Sequence, residues 1–410
     1  MASWRSFIIL LIISALCTCI DPYTPKITGT ESFLVVDGLI TDESASYEVK
    51  LSRTTQSENS IPEKVSDAFV TITDDLGNRT ILINAGNGLY KTDSSLFRGV
   101  AGQTYTLHIS TVSGEEYISE PCLMYTVPEI DSIYFEKDAE ITNNQSETQQ
   151  GVRIYLDSKD GDENNLYFRW AFEETWKFRV PSPRRYMYID SLTILPLPVE
   201  EINEFCWKQR KSTDILVKSF SPGQSRLIKG EPIYFIASDK SDRLSIEYSI
   251  FIKQYSMSKK ESDFWDNLKQ VNEGGGDIFD PQPFPVISNI YNPNNLSDLV
   301  LGYFQVSAVK QKRMYISFSQ IAGLNLPFFQ GNCKRIEYSP DDWPVVGIMG
   351  SPPTFDEIYR MFSSKLYSFV EPLYQSGTRV LRELVFTSPV CADCTLSGTS
   401  KKPDFWIDLK

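Results

Sequence analysis

The sequence predicts a mainly β protein, with a β-sandwich in its first third followed by a larger β-rich domain that contains one or two short helices. Two observations predict this class. Apolar and polar residues alternate over many short segments, and turn sequences rich in Gly, Asn and Asp separate these segments at short intervals. Hydrophobic residues make up 41% of the 410 residues and aromatic residues 13%, which supplies a core and excludes a disordered chain.

The sandwich is predicted over residues 30–126. Phe33 to Ile40 is rich in β-branched and aromatic residues, as strands are. Tyr47, Val49 and Leu51 alternate with polar neighbours, which is the period of a half-buried strand. Several short strands with closely spaced turns favour two packed sheets over an open one.

The β-rich domain is predicted over residues 127–410. Its clearest helix is expected near residues 258–273, because Ser258 and Glu261 form a capping-box sequence and apolar residues then recur at helical spacing. A second short helix is expected near Thr354 to Phe362.

No motif in the chain indicates catalysis or a bound metal. The single His, His108, lies in a predicted strand, so a structural role is favoured over a catalytic one. The acidic loop Asp157 to Asn165 could suggest calcium, but Lys159 occupies a ligand position of the EF-hand pattern, and a solvated hairpin turn is favoured. P-loop, dinucleotide and HExxH sequences do not occur. We therefore expect no cofactor, no metal and no enzymatic activity.

Residues 1–18 predict a lipoprotein signal peptide. Arg5 precedes an apolar run, Phe7 to Leu16, which is too short for a helix that spans a bilayer of about 30 Å. The run ends at Leu16-Cys17-Thr18-Cys19, which resembles a bacterial lipobox. On this interpretation, cleavage precedes Cys19, its thiol carries diacylglycerol, and its new amine is acylated. An ordinary secretory signal with incidental cysteines is the alternative.

The lipidated Cys19 would anchor the protein through a tether at residues 19–29. Ile20 follows the cysteine in place of the Asp that retains many lipoproteins at the inner membrane, so the outer membrane is the expected location. The sequence leaves open whether the protein faces the periplasm or the cell exterior. A formal net charge of −13 argues against nucleic acid and anionic lipid surfaces as partners.

Structural disulfides are the favoured role for the remaining cysteines. Cys17 leaves with the signal and Cys19 is lipidated, and five then remain: Cys122, Cys206, Cys333, Cys391 and Cys394. The CxxC pair at 391 and 394 lacks nearby zinc ligands and the following helix of a redox motif. We predict that Cys333 pairs with one member of this motif and Cys206 with the other, which leaves Cys122 as a free thiol.

The first domain resembles a known module. The segments VSDAFVTITDDLGN, GNGLYKT and GVAGQTYTLHISTVSGEEY are similar to the immunoglobulin-like module related to carboxypeptidase regulatory domains, over residues 30–122. The resemblance implies a module that positions or stiffens its neighbours and rarely catalyses.

The whole chain resembles a family of lipoproteins. The segments that carry the resemblance, besides the lipobox and the sandwich, are Cys206-Trp207, Tyr248-Ser249-Ile250, Phe264-Trp265, Phe279 to Pro283, Val300 to Phe304, Lys312-Arg313, Cys391 to Cys394 and Lys402 to Trp406. In this order they are similar to a large family of Bacteroidota, domain of unknown function 4249. Cys122 departs from the family's cysteine set.

The family resemblance implies an accessory outer-membrane lipoprotein encoded beside TonB-dependent transporters, and it implies no known chemistry. The expected function is therefore a non-enzymatic binding or scaffold subunit of a transport or envelope-assembly complex. Two alternatives remain open. One is a glycan- or peptide-active hydrolase that uses two of the 53 acidic residues. The other is a surface adhesin that captures a ligand.

Candidate contact residues follow from these hypotheses. Trp176, Tyr186 and Tyr188 could stack on sugars in an adhesin, although core or interface positions are the competing interpretation. For contact with a partner protein, the candidates are Arg184, Arg185 and the Pro- and Asn-rich loop Asp277 to Asn295, with its rings Phe279 and Phe284.

Overall fold

The computed structural model describes residues 32–55, 60–141, 148–162, 164, 166–273, 286–326, 333–342, 352–363 and 366–409. Within these ranges the protein is mainly β, with several sheets and three short α-helices, which confirms the predicted fold class. Cys19, Phe279 and Phe284 lie outside the described residues.

Twenty-five strands form the framework of the described part of the chain. The first ten are β1 (Leu34–Thr41), β2 (Glu48–Arg53), β3 (Glu63–Lys64), β4 (Phe69–Asp74), β5 (Arg79–Ile81), β6 (Ile83–Asn84), β7 (Leu89–Lys91), β8 (Thr104–Ser110), β9 (Glu116–Ser119) and β10 (Cys122–Leu123). The next nine are β11 (Ile130–Ile141), β12 (Thr148–Ser158), β13 (Tyr167–Arg179), β14 (Tyr186–Asp190), β15 (Thr193–Pro196), β16 (Phe205–Lys211), β17 (Leu216–Ser219), β18 (Ile228–Ala237) and β19 (Glu247–Ser256). The last six are β20 (Ile290–Tyr291), β21 (Val300–Ser307), β22 (Val309–Ser317), β23 (Ile336–Tyr338), β24 (Ser368–Tyr374) and β25 (Leu381–Thr387).

The α-helices are α1 (Lys259–Glu273), α2 (Phe355–Phe362) and α3 (Pro389–Ala392). Short 3₁₀ turns occur at Val199–Glu201, Phe318–Ile321, Pro340–Asp342 and Cys394–Leu396. In the part of the chain that the structure covers, every helix is too short or too polar to cross a bilayer.

The N-terminal sandwich consists of two six-stranded sheets. One has the order β21-β1-β2-β7-β6, with β3 beside β2, and the other has the order β20-β9-β8-β4-β5, with β10 beside β8. Side chains alternate between core and surface along β8, where Tyr105, Leu107 and Ile109 are buried. Tyr90 is buried between the sheets, and its hydroxyl donates to the Val65 carbonyl.

Two strands from much later in the chain complete the sandwich. β20 pairs with β9, and β21 runs parallel to β1 in a register from Leu34–Val300 to Thr41–Ser307. Gly302 has a φ of +84°, and a Cβ at this position would lie 2.0 Å from the Val36 carbonyl oxygen, so only glycine fits the close approach of the two strands. Both sheets of the sandwich thus include a strand from beyond residue 126. The domain boundary after that residue stays a prediction.

The second β region packs directly on the sandwich. One sheet has the order β16-β13-β19-β22, with β17 beside β13, and a second has the order β11-β12-β18. The inward face of β13 presents Phe168, Trp170, Phe172 and Phe178 to the core. These rings belong to the same buried cluster as the sandwich core, because β21 of the sandwich continues through Ala308 into β22.

A smaller unit with its own core, called here the aromatic body, consists of residues 186–196, 336–342, 355–362 and 367–387. It contains the hairpin β14–β15, the sheet β23-β25-β24 and helix α2. Its core comprises Tyr188, Ile358, Phe369, Leu384 and Phe386. The rings of Tyr188 and Tyr359 stack with centroids 4.1 Å apart.

Two disulfides meet at the CxxC turn that follows the aromatic body in the chain. Cys206 of β16 pairs with Cys394, and Cys333 pairs with Cys391 of α3, each with Cα atoms 5.6 Å apart. The CxxC motif is thus divided between two disulfides, as the sequence predicted. Cys122 is the free cysteine among the described residues.

Candidate functional site

The aromatic body carries a cleft that is open to solvent. One cavity of about 720 Å³ is lined by Ser191, Leu192, Ile194, Phe355, Tyr374, Arg379, Val380 and Leu381. A second cavity of about 470 Å³ shares Phe355, Val380 and Leu381 with the first, so the two form one cleft. The additional residues of the second cavity are Ser339, Pro340, Asp341, Gln375 and Arg382. The whole is called here the C-terminal cleft.

The first wall of the C-terminal cleft is the tip of hairpin β14–β15. The Asp190 carboxylate accepts a hydrogen bond from the Leu192 amide at 2.9 Å, which forms the turn. Asp356, in the first turn of α2, accepts from the Ser191 amide at 2.8 Å and from the Tyr188 hydroxyl at 2.6 Å. The start of α2 therefore fixes the hairpin tip over the cleft.

The start of α2 is itself fixed by a capping box. The Thr354 hydroxyl accepts from the Glu357 amide at 3.3 Å, and the Glu357 carboxylate accepts from the Thr354 amide at 2.7 Å. These hydrogen bonds lower the pKa of Glu357. Phe355 follows the cap directly and lines both cavities.

The walls of the C-terminal cleft include large apolar side chains that are exposed. Leu192 is 96% exposed, Val380 60% and Tyr374 45%. Large apolar side chains exposed together around a concavity are typical of a binding surface. Arg379 adds a positive charge, and its guanidinium makes no ion pair or hydrogen bond with another described residue.

The described lining of the cleft supplies few groups that could act as acid, base or nucleophile. Ser191 and Ser339 line the cleft, but its lining contains no His or Lys that could act as a base for a serine nucleophile. Asp341 is the one carboxylate in the lining, whereas hydrolysis by two carboxylates requires a pair.

A second polar cluster lies buried beneath helix α1. The Ser258 hydroxyl accepts from the Glu261 amide at 3.1 Å, which is one half of the predicted capping box. The Glu261 side chain is 2% exposed, and its Oε1 has no hydrogen-bond partner. Burial raises the pKa of Glu261 to about 8, and the nearby Arg169 guanidinium opposes this rise only in part.

Arg169 is held on the outer face of β13. Its guanidinium stacks on Tyr255 at 4.5 Å and on Trp265 at 4.6 Å, and its Nη2 donates to Gln305 Oε1 at 3.2 Å. Burial lowers the pKa of Arg169. Sequence reasoning missed this cluster, because its members come from three distant segments and form no local motif.

A third buried network surrounds Glu174 on the opposite face of β13. The Tyr248 hydroxyl donates to Glu174 Oε1 at 2.9 Å, and Arg210 Nε lies 3.1 Å from Oε2. Arg243 Nη1 lies 3.5 Å from Oε1. Burial raises the pKa of Glu174 despite both arginines. Through Tyr248 and Arg210 the network connects β13 with β19 and β16.

Two of the proposed sugar-stacking rings are buried, so the expectation that they form an exposed platform is wrong. Trp176 is 8% exposed, and its indole N–H donates to Asp242 at 3.0 Å. Tyr188 lies in the core of the aromatic body, where burial and Asp356 raise its pKa. Tyr186 is half-buried against the same core. Core packing, the competing interpretation, accounts for these positions.

Arg184 and Arg185 are exposed on the segment that precedes β14. The Arg185 guanidinium lies 2.5 Å from Glu204, and neither arginine lines the C-terminal cleft. The structure thus places these candidates beside the aromatic body and apart from its cavity.

Cys122, His108 and the acidic loop are the other features that the sequence singled out. Burial raises the pKa of Cys122 to about 12, and its sulfur accepts from the Asn289 side chain at 3.2 Å. His108 lies half-buried in β8, where burial and Arg79 lower its pKa. Asp157, the first residue of the predicted acidic loop, lies in β12, and its carboxylate accepts from the Gly230 amide at 2.8 Å. Across the described ranges, no group of three or more His, Cys, Asp or Glu side chains could hold a metal.

The family model described as Domain of unknown function (DUF4249) matches residues 20–313. The chain belongs to the DUF4249 family. This confirms the family predicted from the sequence. Within this DUF4249 protein the match covers the sandwich and most of the second β region, and it ends before β23, α2, β24 and β25.

No curated protein matches the chain. Among solved structures, this DUF4249 protein has a likeness to a structure titled "Biofilm associated protein - BSP domain", with 6% sequence identity and a TM-score of 0.10. The aligned region covers 74% of the present chain and 62% of that structure's chain. A similarity at this level supports no conclusion about fold or function.

Proposed function

We propose that the protein is a lipid-anchored, non-enzymatic subunit of the outer membrane that holds a partner protein in the C-terminal cleft. The partner we favour is a TonB-dependent barrel transporter of a Bacteroidota envelope, for which this chain acts as a binding or scaffold accessory. The observation that supports binding most directly is the cleft itself, where exposed Leu192, Val380 and Tyr374 surround a cavity of about 720 Å³.

The disulfides support a location outside the cytoplasm. Disulfides persist in oxidising compartments and are rare where thiols are kept reduced. The pairs Cys206–Cys394 and Cys333–Cys391 use four of the five cysteines that follow Cys19. Together with the lipobox-like sequence before Cys19, they favour an exported protein with an acylated N-terminus.

The rigidity of the cleft supports a binding function. Its hairpin wall is hydrogen-bonded to α2 through Asp356, and the CxxC turn that follows β25 is linked to β16 by the disulfide Cys206–Cys394. A preformed cleft loses little entropy when a partner binds, so even a modest apolar contact contributes to affinity.

The test is co-purification of the full chain from detergent-solubilised membranes of its native host. We expect the parent protein to carry fatty acyl chains by mass spectrometry and to recover a barrel of TonB-dependent type. Leu192→Asp should retain the lipid and lose the barrel, because a charge would enter the apolar wall. Leu296→Asp is the matched control, since Leu296 is 82% exposed and lies outside the cleft.

Different results would favour the alternatives. A parent chain that is recovered alone and hydrolyses a glycan or peptide would replace the proposal with a hydrolase. A chain that is recovered alone and retained on a glycan column would replace it with an adhesin. An unmodified, freely soluble mature chain would remove the anchor from the proposal.

A further inference from the structure

The sheet of the aromatic body has an open edge inside the C-terminal cleft. β25 pairs with β24 from Leu381 to Thr387, but it pairs with β23 only from Leu384 to Phe386. Within the described chain, residues 381–383 therefore have no strand partner on the side away from β24. Unpaired strand backbone presents N–H and C=O groups that a further strand can bind.

The sequence explains why β23 stops early. Ser339 is followed by Pro340, which lacks an amide hydrogen, and the chain turns away through the 3₁₀ turn Pro340–Asp342. The cavity of about 470 Å³ lies between residues 339–341 and residues 380–382. The space along the line that β23 leaves is thus part of the cleft.

We propose that an extended peptide segment of the partner protein adds to residues 381–383 as an antiparallel strand, in the line of β23. The inference rests on the proposed binding function and names what the cleft recognises. Backbone hydrogen bonds to β25 would provide affinity, and alternate apolar side chains of the peptide would pack against Phe355 and Val380.

A charged residue of the cleft indicates which chemical group lies at the C-terminal end of this peptide. A strand antiparallel to β25 runs from Glu383 toward Leu381, so its C-terminal end approaches Arg379. Arg379 makes no ion pair with a described residue. Asp341, the one carboxylate in the lining, belongs to the second cavity, which Arg379 does not line. The peptide therefore carries a carboxylate at its C-terminal end, from an acidic side chain or from a chain terminus.

The test uses fluorescence anisotropy with the full mature chain in detergent. The probe is the fluorescein-labelled peptide Val-Thr-Val-Thr-Val-Glu with an amidated C-terminus. Two companion peptides replace Glu with Gln, one amidated and one with a free C-terminal acid. We expect both carboxylate-bearing peptides, or one of them, to bind about tenfold more tightly than the neutral peptide. The stronger of the two identifies the source of the carboxylate.

Variants assign the binding to the cleft. Arg379→Gln should abolish the preference for the carboxylate, while Arg184→Gln, an exposed arginine outside the cleft, should leave it unchanged. N-methylation of alternate peptide amides should reduce binding about tenfold or more, because it removes donors of the added strand. Hydrogen exchange at residues 381–383 should slow when the peptide binds.

Three results would overturn the inference: equal binding of all three peptides, binding that survives N-methylation, or protection, already in the free protein, of the amides of residues 381–383 that point away from β24. The last result would mean that another part of this chain covers the edge. A barrel that co-purifies and is lost with Leu192→Asp, combined with no peptide binding, would leave the proposed function intact and reject only strand addition.

Discussion

Glu261 couples the stability of the protein to pH. Its carboxyl is buried, and burial raises its pKa from an ordinary value of 4.5 to about 8. Between these values the folded state keeps a proton that the unfolded state has released, so this group's contribution to stability is complete below about pH 4.5 and is lost as the pH rises toward 8. Glu261→Gln mimics the protonated form and should remove this contribution to the pH dependence.

The measurement is urea unfolding of both proteins from pH 5 to pH 8. We expect the variant to gain stability relative to the parent as pH rises, by roughly 2 kcal/mol or more at pH 8. Asp263→Asn, on the exposed side of the same helix in a pair with Lys259, is the control and should follow the parent. A difference between variant and parent that stays constant with pH would show that Glu261 is already ionised at pH 5.

Tyr248 provides a prediction for the buried network. Its hydroxyl donates to the fully buried Glu174 carboxylate at 2.9 Å. Tyr248→Phe keeps the ring and leaves this carboxylate one donor short, which should lower the free energy of unfolding by about 1–3 kcal/mol in urea. Tyr315→Phe, which removes an exposed hydroxyl bound to the Phe405 carbonyl, should cost less. Equal losses in the two variants would contradict the importance of this buried hydrogen bond.

At the scale of elements, the contact between β1 and β21 depends on a glycine. Gly302 and Gly114 have nearly the same φ, +84° and +85°. A Cβ at Gly302 meets the Val36 carbonyl oxygen at 2.0 Å, whereas a Cβ at Gly114 meets nothing within 4 Å. Gly114→Ala should therefore cost only the conformational strain, about 1–2 kcal/mol, and Gly302→Ala should cost clearly more because β21 must move away from β1.

Urea unfolding of the two alanine variants measures this difference. Hydrogen exchange adds a local measurement, because faster exchange in β1 and β21 of Gly302→Ala alone would locate the damage. Equal costs in the two variants would mean that the sandwich accommodates a side chain at this position.

Local sequence signals predicted individual helices and strands, but they did not predict which strands pair across long distances in the chain. The short helix expected near Thr354 to Phe362 is α2, and both halves of its capping box lie within four residues. The parallel pairing of β21 with β1 joins residues far apart in the chain, and no periodicity carries that information. The burial of Trp176 and Tyr188 escaped prediction for the same reason, because their partners Asp242 and Asp356 come from distant segments.

The candidate site was harder to predict than the fold. The C-terminal cleft combines the tip of one hairpin, the first residue of a helix and the turn of a second hairpin. Exposed apolar residues such as Leu192 and Val380 look like ordinary loop residues in the sequence. The cysteines were an exception. Five follow Cys19, and the prediction that Cys333 and Cys206 each pair with one member of the CxxC motif, with Cys122 left free, agrees with the structure.

For the whole molecule, the disulfides determine whether two cores unfold as one. The core of the aromatic body is separate from the cluster shared by the sandwich and the second β region. Cys206–Cys394 joins a strand of the larger core to the CxxC turn, and Cys333–Cys391 joins that turn to the segment before β23. The turn therefore links both units, and losing the first disulfide should uncouple them.

We predict that the double variant Cys206→Ser with Cys394→Ser unfolds in two steps in urea. Its disulfide spans 188 residues, and chain entropy predicts a loss of about 5 kcal/mol. Hydrogen exchange should show β24 and β25 opening at low urea while β13 and β19 remain protected. Cys333→Ser with Cys391→Ser, whose disulfide spans 58 residues, should lose about 4 kcal/mol while the CxxC turn stays bound to β16. Coincident opening of all four strands in the first variant would show that packing alone couples the two cores.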